Sequence, residues 1–505
     1  MFDDEDGFLA PGLKPPLANT SAPRDLEPTT SEQLLLKWQE ERLQRRLQND
    51  YESQMFRLSE LVNTNLKLGL RIRAIRVEGA NHTRDSFLST IIEPILRSEN
   101  VTIPSGISDT QPETLESVLH TTRRIADLLV QTDIFSSVNP TLVKSRDPLA
   151  TDKDVDVVFK CKERGRMFLQ TATEIGNNEG TARLTARLRN VFGGAEKFEA
   201  TLSYGSFTRQ AFSANLTAPL TPDLRTVGSL AAYANDRDLS SYASCKEVLK
   251  GAKATIRTTT SLFGSHEFAY DAVLRQLTDF APNASISIRE SAGFSSKSSI
   301  SHTFIRDTRD IPAAPNQGSY VKLFQELAGL GGDASFLKFE AESQVITRLG
   351  LGQRLSLSAR GGILHSLIPS GDTLFNDRFQ LGGPFSLRSF KTNALGPRDG
   401  NDSLGGEIYW AVGASLLGDL PRKAHWPVKT HLFVNAGRLD IRNPQSSLTQ
   451  TIHASLSKPS VSAGVGIMYH LNPIRVELNF AFPLIAARSD GLQRGFQAGV
   501  GIDFL

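Results

Sequence analysis

Two cysteines, Cys161 and Cys245, form no CxxC pair, and the nine histidines form no cluster at metal-ligand spacing. GxSxG, HExxH and P-loop patterns do not occur, so nucleophilic hydrolysis, zinc catalysis and phosphate cradling lack their motifs. Asp307 and Asp310 are spaced as paired carboxylates would be, but turn capping or charge pairing is the simpler account of them. A different grouping stands out. Arg388 stands in the run Phe379-Gln-Leu-Gly-Gly-Pro-Phe-Ser-Leu387-Arg388-Ser389-Phe390, inside about 40 residues (363–403) with little strand pattern. Loops beyond about 12–15 residues are uncommon in compact domains and are usually functional. Glu407 and Asn435 follow on alternating segments. If Ile408, Trp410 and Val412 face outward, Glu407 faces inward; if Leu432 and Val434 face outward, Phe433 and Asn435 face inward. A loop folded inward would set Arg388 against Glu407 and Asn435, which is electrostatic bracing rather than catalysis. On these residues alone, a surface arginine on a flexible loop fits as well.

The elements that must position this group can be read from periodicity. The chain has 505 residues, and 56 Lys+Arg against 54 Asp+Glu leave a net charge of +2, which argues against a nucleic-acid partner. No stretch is apolar over the 18 residues that a membrane helix needs. The opening MFDDEDGFLA carries four acids and no base, unlike a secretory signal or an Arg-rich transit peptide. Residues 1–29 are rich in Pro, Asp and Thr and are expected to be disordered. Thr30-Ser31-Glu32-Gln33 reads as a capping box, and Leu36, Leu43, Leu47, Tyr51, Met55, Leu58 and Val62 mark one face of a helix over 31–68. Residues 1–69 thus form a tail and an amphipathic helix.

Residues 70–165 read as an α/β module of strand, helix, helix, strand, strand: 71–79, 87–96, 115–130, 134–143 and 154–161. Two helices would cover one sheet face and leave an edge strand available for pairing. From 166 to 505 the pattern changes to strand after strand, with no convincing helix. Ala182, Leu184, Ala186 and Leu188 oppose Arg183, Thr185, Arg187 and Arg189. Ile474, Val476, Leu478 and Phe480 oppose Arg475, Glu477 and Asn479. About 16 such segments can be placed, most near the ~9–11 residues a tilted strand needs to cross a bilayer. The expected fold is mainly β: a 16-stranded antiparallel transmembrane barrel with one N-terminal α/β domain. A soluble β-sandwich would show the same alternation.

The Arg388 motif resembles the inward loop motif (V/I)RG(F/Y) of the outer-membrane-protein-85 superfamily, with Ser389 in place of its glycine. Asp307-Thr-Arg309-Asp310 with Pro312, Pro315 and Gly318, and Gly331-Gly-Asp333-Ala-Ser-Phe336-Leu-Lys338, are also similar to that family. Phe433-Val-Asn435-Ala-Gly437 resembles its FxDxG strand, with Asn for the acid, which leaves Glu407 as the expected charge partner of Arg388. Residues 70–165 then resemble one polypeptide-transport-associated (POTRA) domain, and a single such domain, together with Asn190-Val-Phe-Gly-Gly-Ala-Glu-Lys197, is similar to the mitochondrial branch. Gln497-x-Gly499-x-x-Ile502-x-Phe504 fits the β-signal of mitochondrial barrel precursors.

The resemblance implies a non-enzymatic insertase of the mitochondrial outer membrane, with its N-terminus in the intermembrane space. It would fold and release β-barrel precursors such as porin and the translocase pore. The implied route is a lateral gate between a first strand bearing Phe168, Gln170, Thr171 and Thr173 and a last strand bearing Gln497, Gly499, Ile502 and Phe504. Leu387, Arg388, Ser389 and Phe390 would brace the lumen, with Glu407 and Asn435 as partners. It implies metaxin-type peripheral cytosolic subunits, intermembrane-space chaperones and the lipid bilayer as further partners, and no cofactor or metal. An outer-membrane channel or polypeptide-export pore of the same superfamily is the alternative. A soluble β-rich scaffold is a third possibility.

Overall fold

The computed structural model describes residues 56–57, 59–99, 114–176, 179–206, 208–260, 264–311, 315–350, 352–368, 373–384, 386–420, 426–442, 447–471 and 474–501. Of the helix expected over 31–68, residues 56–57 and 59–64 are helical and those before 56 lie outside the described residues. The chain divides into two compact units: Met1–Glu78 with Ile95–Asp127 and Val138–Lys160, and Gly79–Pro94 with Leu128–Ser137 and Cys161–Leu505.

Near the N-terminus β1 (Arg71–Glu78), α1 (Asp85–Glu99), α2 (Leu115–Gln131), β2 (Phe135–Lys144) and β3 (Asp154–Glu163) follow one another. The three strands form one sheet in the order β1-β3-β2, with β1 parallel to β3 from Arg71↔Asp154 to Glu78↔Lys160. Parallel neighbours need a crossover, which the two helices supply. Ile91, Ile125, Leu129, Phe135 and Phe159 are the largest fully buried side chains of these elements.

In the second unit, sixteen strands form one antiparallel sheet. They are β4 (Met167–Gly176), β5 (Glu179–Arg189), β6 (Lys197–Gly205), β7 (Thr208–Pro219), β8 (Thr226–Asp238), β9 (Lys246–Thr260), β10 (Gly264–Thr278), β11 (Gly293–Asp307), β12 (Gly318–Gly332), β13 (Phe336–Gly350) and β14 (Gln353–Ser366). After the two-residue strands β15 (Arg398–Asp399) and β16 (Asp402–Ser403), which pair only with each other, come β17 (Ile408–Asp419), β18 (Val428–Asp440), β19 (Ser460–Leu471), β20 (Ile474–Ile485) and β21 (Gly495–Gly501). Each strand of the large sheet bonds its chain neighbour, and β14 bonds β17 across the long loop. The order runs from β4 at one edge to β21 at the other, and no ladder joins these two among the described residues.

Side-chain alternation gives the sheet an apolar outer face and a polar inner one. Leu230, Leu274, Leu432, Leu478 and Phe496 are each more than half exposed, whereas Asn435, Ser462, Glu477 and Asn479 have no solvent exposure. That is the reverse of a water-soluble fold and the arrangement of strands that face lipid. No helix of the described residues is long and apolar enough to cross a membrane.

Two helices correct the expectation of none after residue 166: α3 (Ile286–Glu290) and α4 (Leu448–Ser457). Both lie in inter-strand loops. Ser447 Oγ accepts from Gln450 N while the Gln450 side chain accepts from Ser447 N, a full capping box whose S-x-x-Q spacing is legible in the sequence.

Candidate functional site

The described residues between 373 and 407 fold inward against the polar face of the large sheet. Phe379, Leu381, Leu387, Phe390 and Leu395 of this segment form a core with Ala328, Phe336, Leu364, Ala411 and Leu439 of the strands. Its anchors lie on β9, β10 and β13 at one end and on β18, β20 and β21 at the other. Strands so far apart in the sheet order can meet one segment only if the sheet curls around it.

Arg388 is the best-satisfied group of the site. Its Nη2 and Nε donate to Glu477 Oε2 at 2.9 and 3.1 Å, and neither side chain is exposed. Asn435, with its amide oxygen toward the guanidinium, accepts from Nη1 at 3.1 Å and donates to Val434 O. The guanidinium carbon lies 4.9 Å from the centre of the Phe433 ring, and Asn479 Nδ2 donates to Glu477 at 2.8 Å. A buried charge is tolerated when it is paired and hydrogen-bonded in this way. The glycines around it leave room. A Cβ on Gly437 would stand 2.5 Å from Leu387 Cδ1, and one on Gly464 would stand 2.7 Å from Phe433 Cζ.

The next two residues fasten the loop to the last strand. Gln497 of β21 accepts from Ser389 N at 3.0 Å and donates to Phe390 O at 3.1 Å, so one carboxamide satisfies both faces of the loop backbone. Ser389 Oγ donates to Gln493 O, Gln493 N to Ser389 O, Lys391 N to Gly491 O, and Gly491 N to Ala394 O. Ser389 has φ +75°, a left-handed conformation that a glycine adopts without strain. That accounts for the glycine of the family motif at this position.

The other end of the loop is anchored across the interior. Arg275 of β10 forms two hydrogen bonds to Asp377, at 2.6 and 3.1 Å, with both side chains 4% exposed. Asn376 donates to Glu247 of β9, and Lys338 of β13 donates to Asp377 O. Asp402 accepts from Ser285 N at 2.7 Å, and Asp399 accepts from the Ser287 hydroxyl at 2.7 Å.

Glu407 is not the partner of Arg388. It accepts from Thr373 Oγ1 at 2.7 Å and from Arg442 N at 3.1 Å. Register explains the correction. Ile408 pairs with Asp440, whereas Asn435 pairs with Gly413, six residues beyond Glu407. At ~3.3 Å per residue Glu407 stands about 20 Å down the strand from Asn435. Glu477 takes its place. It is the single acid on the polar face of a strand whose alternation is plain in the sequence, and that was the available signal. Arg275 and Asp377 had none, because 102 residues separate them. Of the suspected acid pair, Asp307 bonds Arg309 and Asp310 accepts from Asn316 N, which is turn capping. Among the described residues no three His, Cys, Asp or Glu side chains converge as a metal site.

The edge strands differ in surroundings. On β21 Gln497 and Gly499 are buried; Ile502 and Phe504 lie outside the described residues. On β4 Phe168, Gln170, Thr171 and Thr173 are all exposed, although they alternate between faces. Gln170 pairs with Thr185, which is buried, and the Arg189 guanidinium lies 5.9 Å from the Phe168 ring, so Phe168 and Gln170 line the inner face.

Comparison with known proteins adds context. Residues 190–504 match the model of the Omp85 superfamily domain. A SAM50-like protein of Schizosaccharomyces pombe is 38% identical, covering 89% of this chain and 94% of its own. The sorting and assembly machinery component 50 homolog of Xenopus tropicalis is 32% identical, covering 86% and 90%. Among solved structures, BamA from Haemophilus ducreyi lacking POTRA domains 1–3 superposes with a TM-score of 0.68 at 17% identity, covering 85% of this chain and 84% of that one, a likeness of fold.

Proposed function

The chain belongs to the Omp85 superfamily, and from that premise we propose that it is the central barrel insertase of a mitochondrial sorting and assembly machinery. It folds β-barrel precursors, porin and the translocase pore among them, and releases them into the outer membrane. No covalent chemistry is required; apolar burial and backbone pairing drive the process. The sheet closes into a barrel whose lateral gate is the seam between β4 and β21. A precursor's β-signal pairs main chain to main chain with β4, and the precursor then grows by hairpins and buds off.

The observation that carries this reading is the asymmetry of the two edges. β21 is held from inside by the Arg388 loop through Gln497, whereas β4 bonds only β5 among the described residues and is exposed on both faces. Each unpaired backbone group in lipid costs several kcal/mol, so a free β4 edge strongly favours a partner strand. The segment 70–165 serves as a POTRA domain facing the intermembrane space, where it receives precursors delivered by chaperones. Metaxin-type subunits cover the cytosolic side. A passive channel fits less well, because a packed apolar core and two buried ion pairs occupy the interior.

Depletion tests the proposal. Mitochondria lacking the chain should import porin precursor yet leave it extractable by carbonate. Normal porin insertion, with a lost membrane conductance as the sole defect, would favour the channel.

A further inference from the structure

At the approach to the first strand of the sheet, cations from three segments gather around one carboxylate. Arg164 and Arg166 stand just before Met167, where β4 begins. Arg164 N donates to Ile134 O at 2.8 Å, its Nε to Phe135 O at 3.0 Å, and its Nη1 to Asp133 Oδ1 at 2.5 Å. Asp133 Oδ2 also accepts from Lys197 Nζ at 3.1 Å and lies 3.4 Å from Arg189 Nε. Arg189 ends β5 and Lys197 starts β6, and the two residues face each other in the ladder. Arg166 completes the cluster by donating to Asn190 O and Val191 O, while Arg189 N donates to Arg166 O. One side chain thus touches the approach to β4, the end of β5 and the start of β6, all at one rim of the sheet. Asp133 has φ +60°, the left-handed position just past the C-terminus of α2, which costs a non-glycine residue some strain.

The last strand is fastened differently. β21 is sixteenth in an antiparallel order, so it starts at the rim opposite the start of β4. The contacts with the Arg388 loop fall at that start, on Gly491, Gln493 and Gln497. The two edge strands are therefore held at opposite rims.

We propose that Asp133 is a positioning residue for insertion: it holds the base of β4 as a fixed template, so that pairing by an incoming strand starts beside Phe168 and runs toward Thr173. The inference rests on the insertase reading above. A loose base would leave register to slip, and a one-residue slip turns every side chain to the wrong face. Three cations from three segments around one acid fix position more than one ion pair would.

The test uses full-length chain in isolated mitochondria, with Cys161 and Cys245 replaced and single cysteines at Phe168 or Thr173. The probe is imported porin precursor with single cysteines scanned along its last strand. Asp133→Asn keeps a residue that tolerates positive φ and removes the charge; Asp133→Gly removes the charge and the strain. In both variants the disulfide at Phe168 should fall about five-fold and spread over neighbouring registers, while that at Thr173 keeps its yield. Resistance to carbonate extraction shows that each variant is folded into the membrane. Equal, register-specific crosslinks at Phe168 in wild type and both variants would overturn the role of Asp133 and leave the insertase reading standing. No crosslink at either position in wild type would overturn the insertase reading itself. A defect in Asp133→Asn that Asp133→Gly repairs would assign the effect to backbone strain and also overturn the proposal.

Discussion

Arg388 and Glu477 are 89 residues apart in sequence, and their side chains meet at 2.9 Å with no exposure on either. One belongs to the inward loop and the other to the strand beside the sheet's last edge. The pair therefore fixes where the loop sits relative to β20 and, through Gln497, to β21.

Removing one member of this pair leaves the other charged and buried. Arg388→Ala and Glu477→Gln should each destabilise the seated loop by about 3–5 kcal/mol, and the double variant should cost less than the sum of the two. In import assays both should slow precursor release more than precursor arrival. Pulse–chase with native gels reads the two steps separately, and unchanged release would remove the loop from the mechanism.

Ser389 occupies a left-handed backbone position. Ser389→Gly relieves about 1 kcal/mol of strain and loses one hydrogen bond of similar worth, so stability should stay near wild type. Ser389→Val, β-branched at positive φ, should lower it by about 1–3 kcal/mol. Thermal unfolding of the purified protein in detergent compares them; equal stability of the two variants would contradict the backbone argument.

Arg275 and Asp377 anchor the far end of the loop. Asp377→Asn should release that end at a cost of about 3–5 kcal/mol, whereas Arg275→Met combined with Asp377→Leu should cost far less. Protease sensitivity of residues 373–384 is the readout. A double variant as sensitive as the single one would show that the charges themselves are required.

Asp133 gives a pH dependence with a definite sign. Burial pushes its carboxyl up, but Lys197, Arg189 and Arg164 outweigh that and hold it below the ordinary 3.8. A lowered folded value means the stabilisation is fully present above 3.8 and is lost as pH falls through the folded value. The stability gap between wild type and Asp133→Asn should be flat from pH 7 to about 5 and close below 3.8. A gap that changes between pH 7 and 5 would contradict the assignment.

What the sequence made legible followed from local rules. Alternation with period two exposed the strands of the large sheet and which side of each faces in, because one face meets an apolar environment and the other does not. The loop was visible as a break in that alternation. Glu477 was legible as an inward acid, but not its choice over Glu407 as the partner of Arg388. Facing inward was necessary for Glu407, but height along the strand decided, and height depends on register and stagger that no single strand reveals. Helix α4 was missed although its capping box stands in the sequence, since ten residues among strands are easily read as loop. Arg275 and Asp377 come together only when the sheet curls, so no spacing rule reaches them.

The central claim is that precursors pair with β4. The most direct measurement is disulfide formation between a single cysteine at Thr171 and single cysteines scanned through the last strand of imported porin precursor, with Cys161 and Cys245 replaced. The account predicts crosslinks at one register position and its period-two neighbours, appearing before the precursor becomes carbonate-resistant. An inserted, intact chain that gives no crosslink from Thr171 while porin still assembles would contradict it.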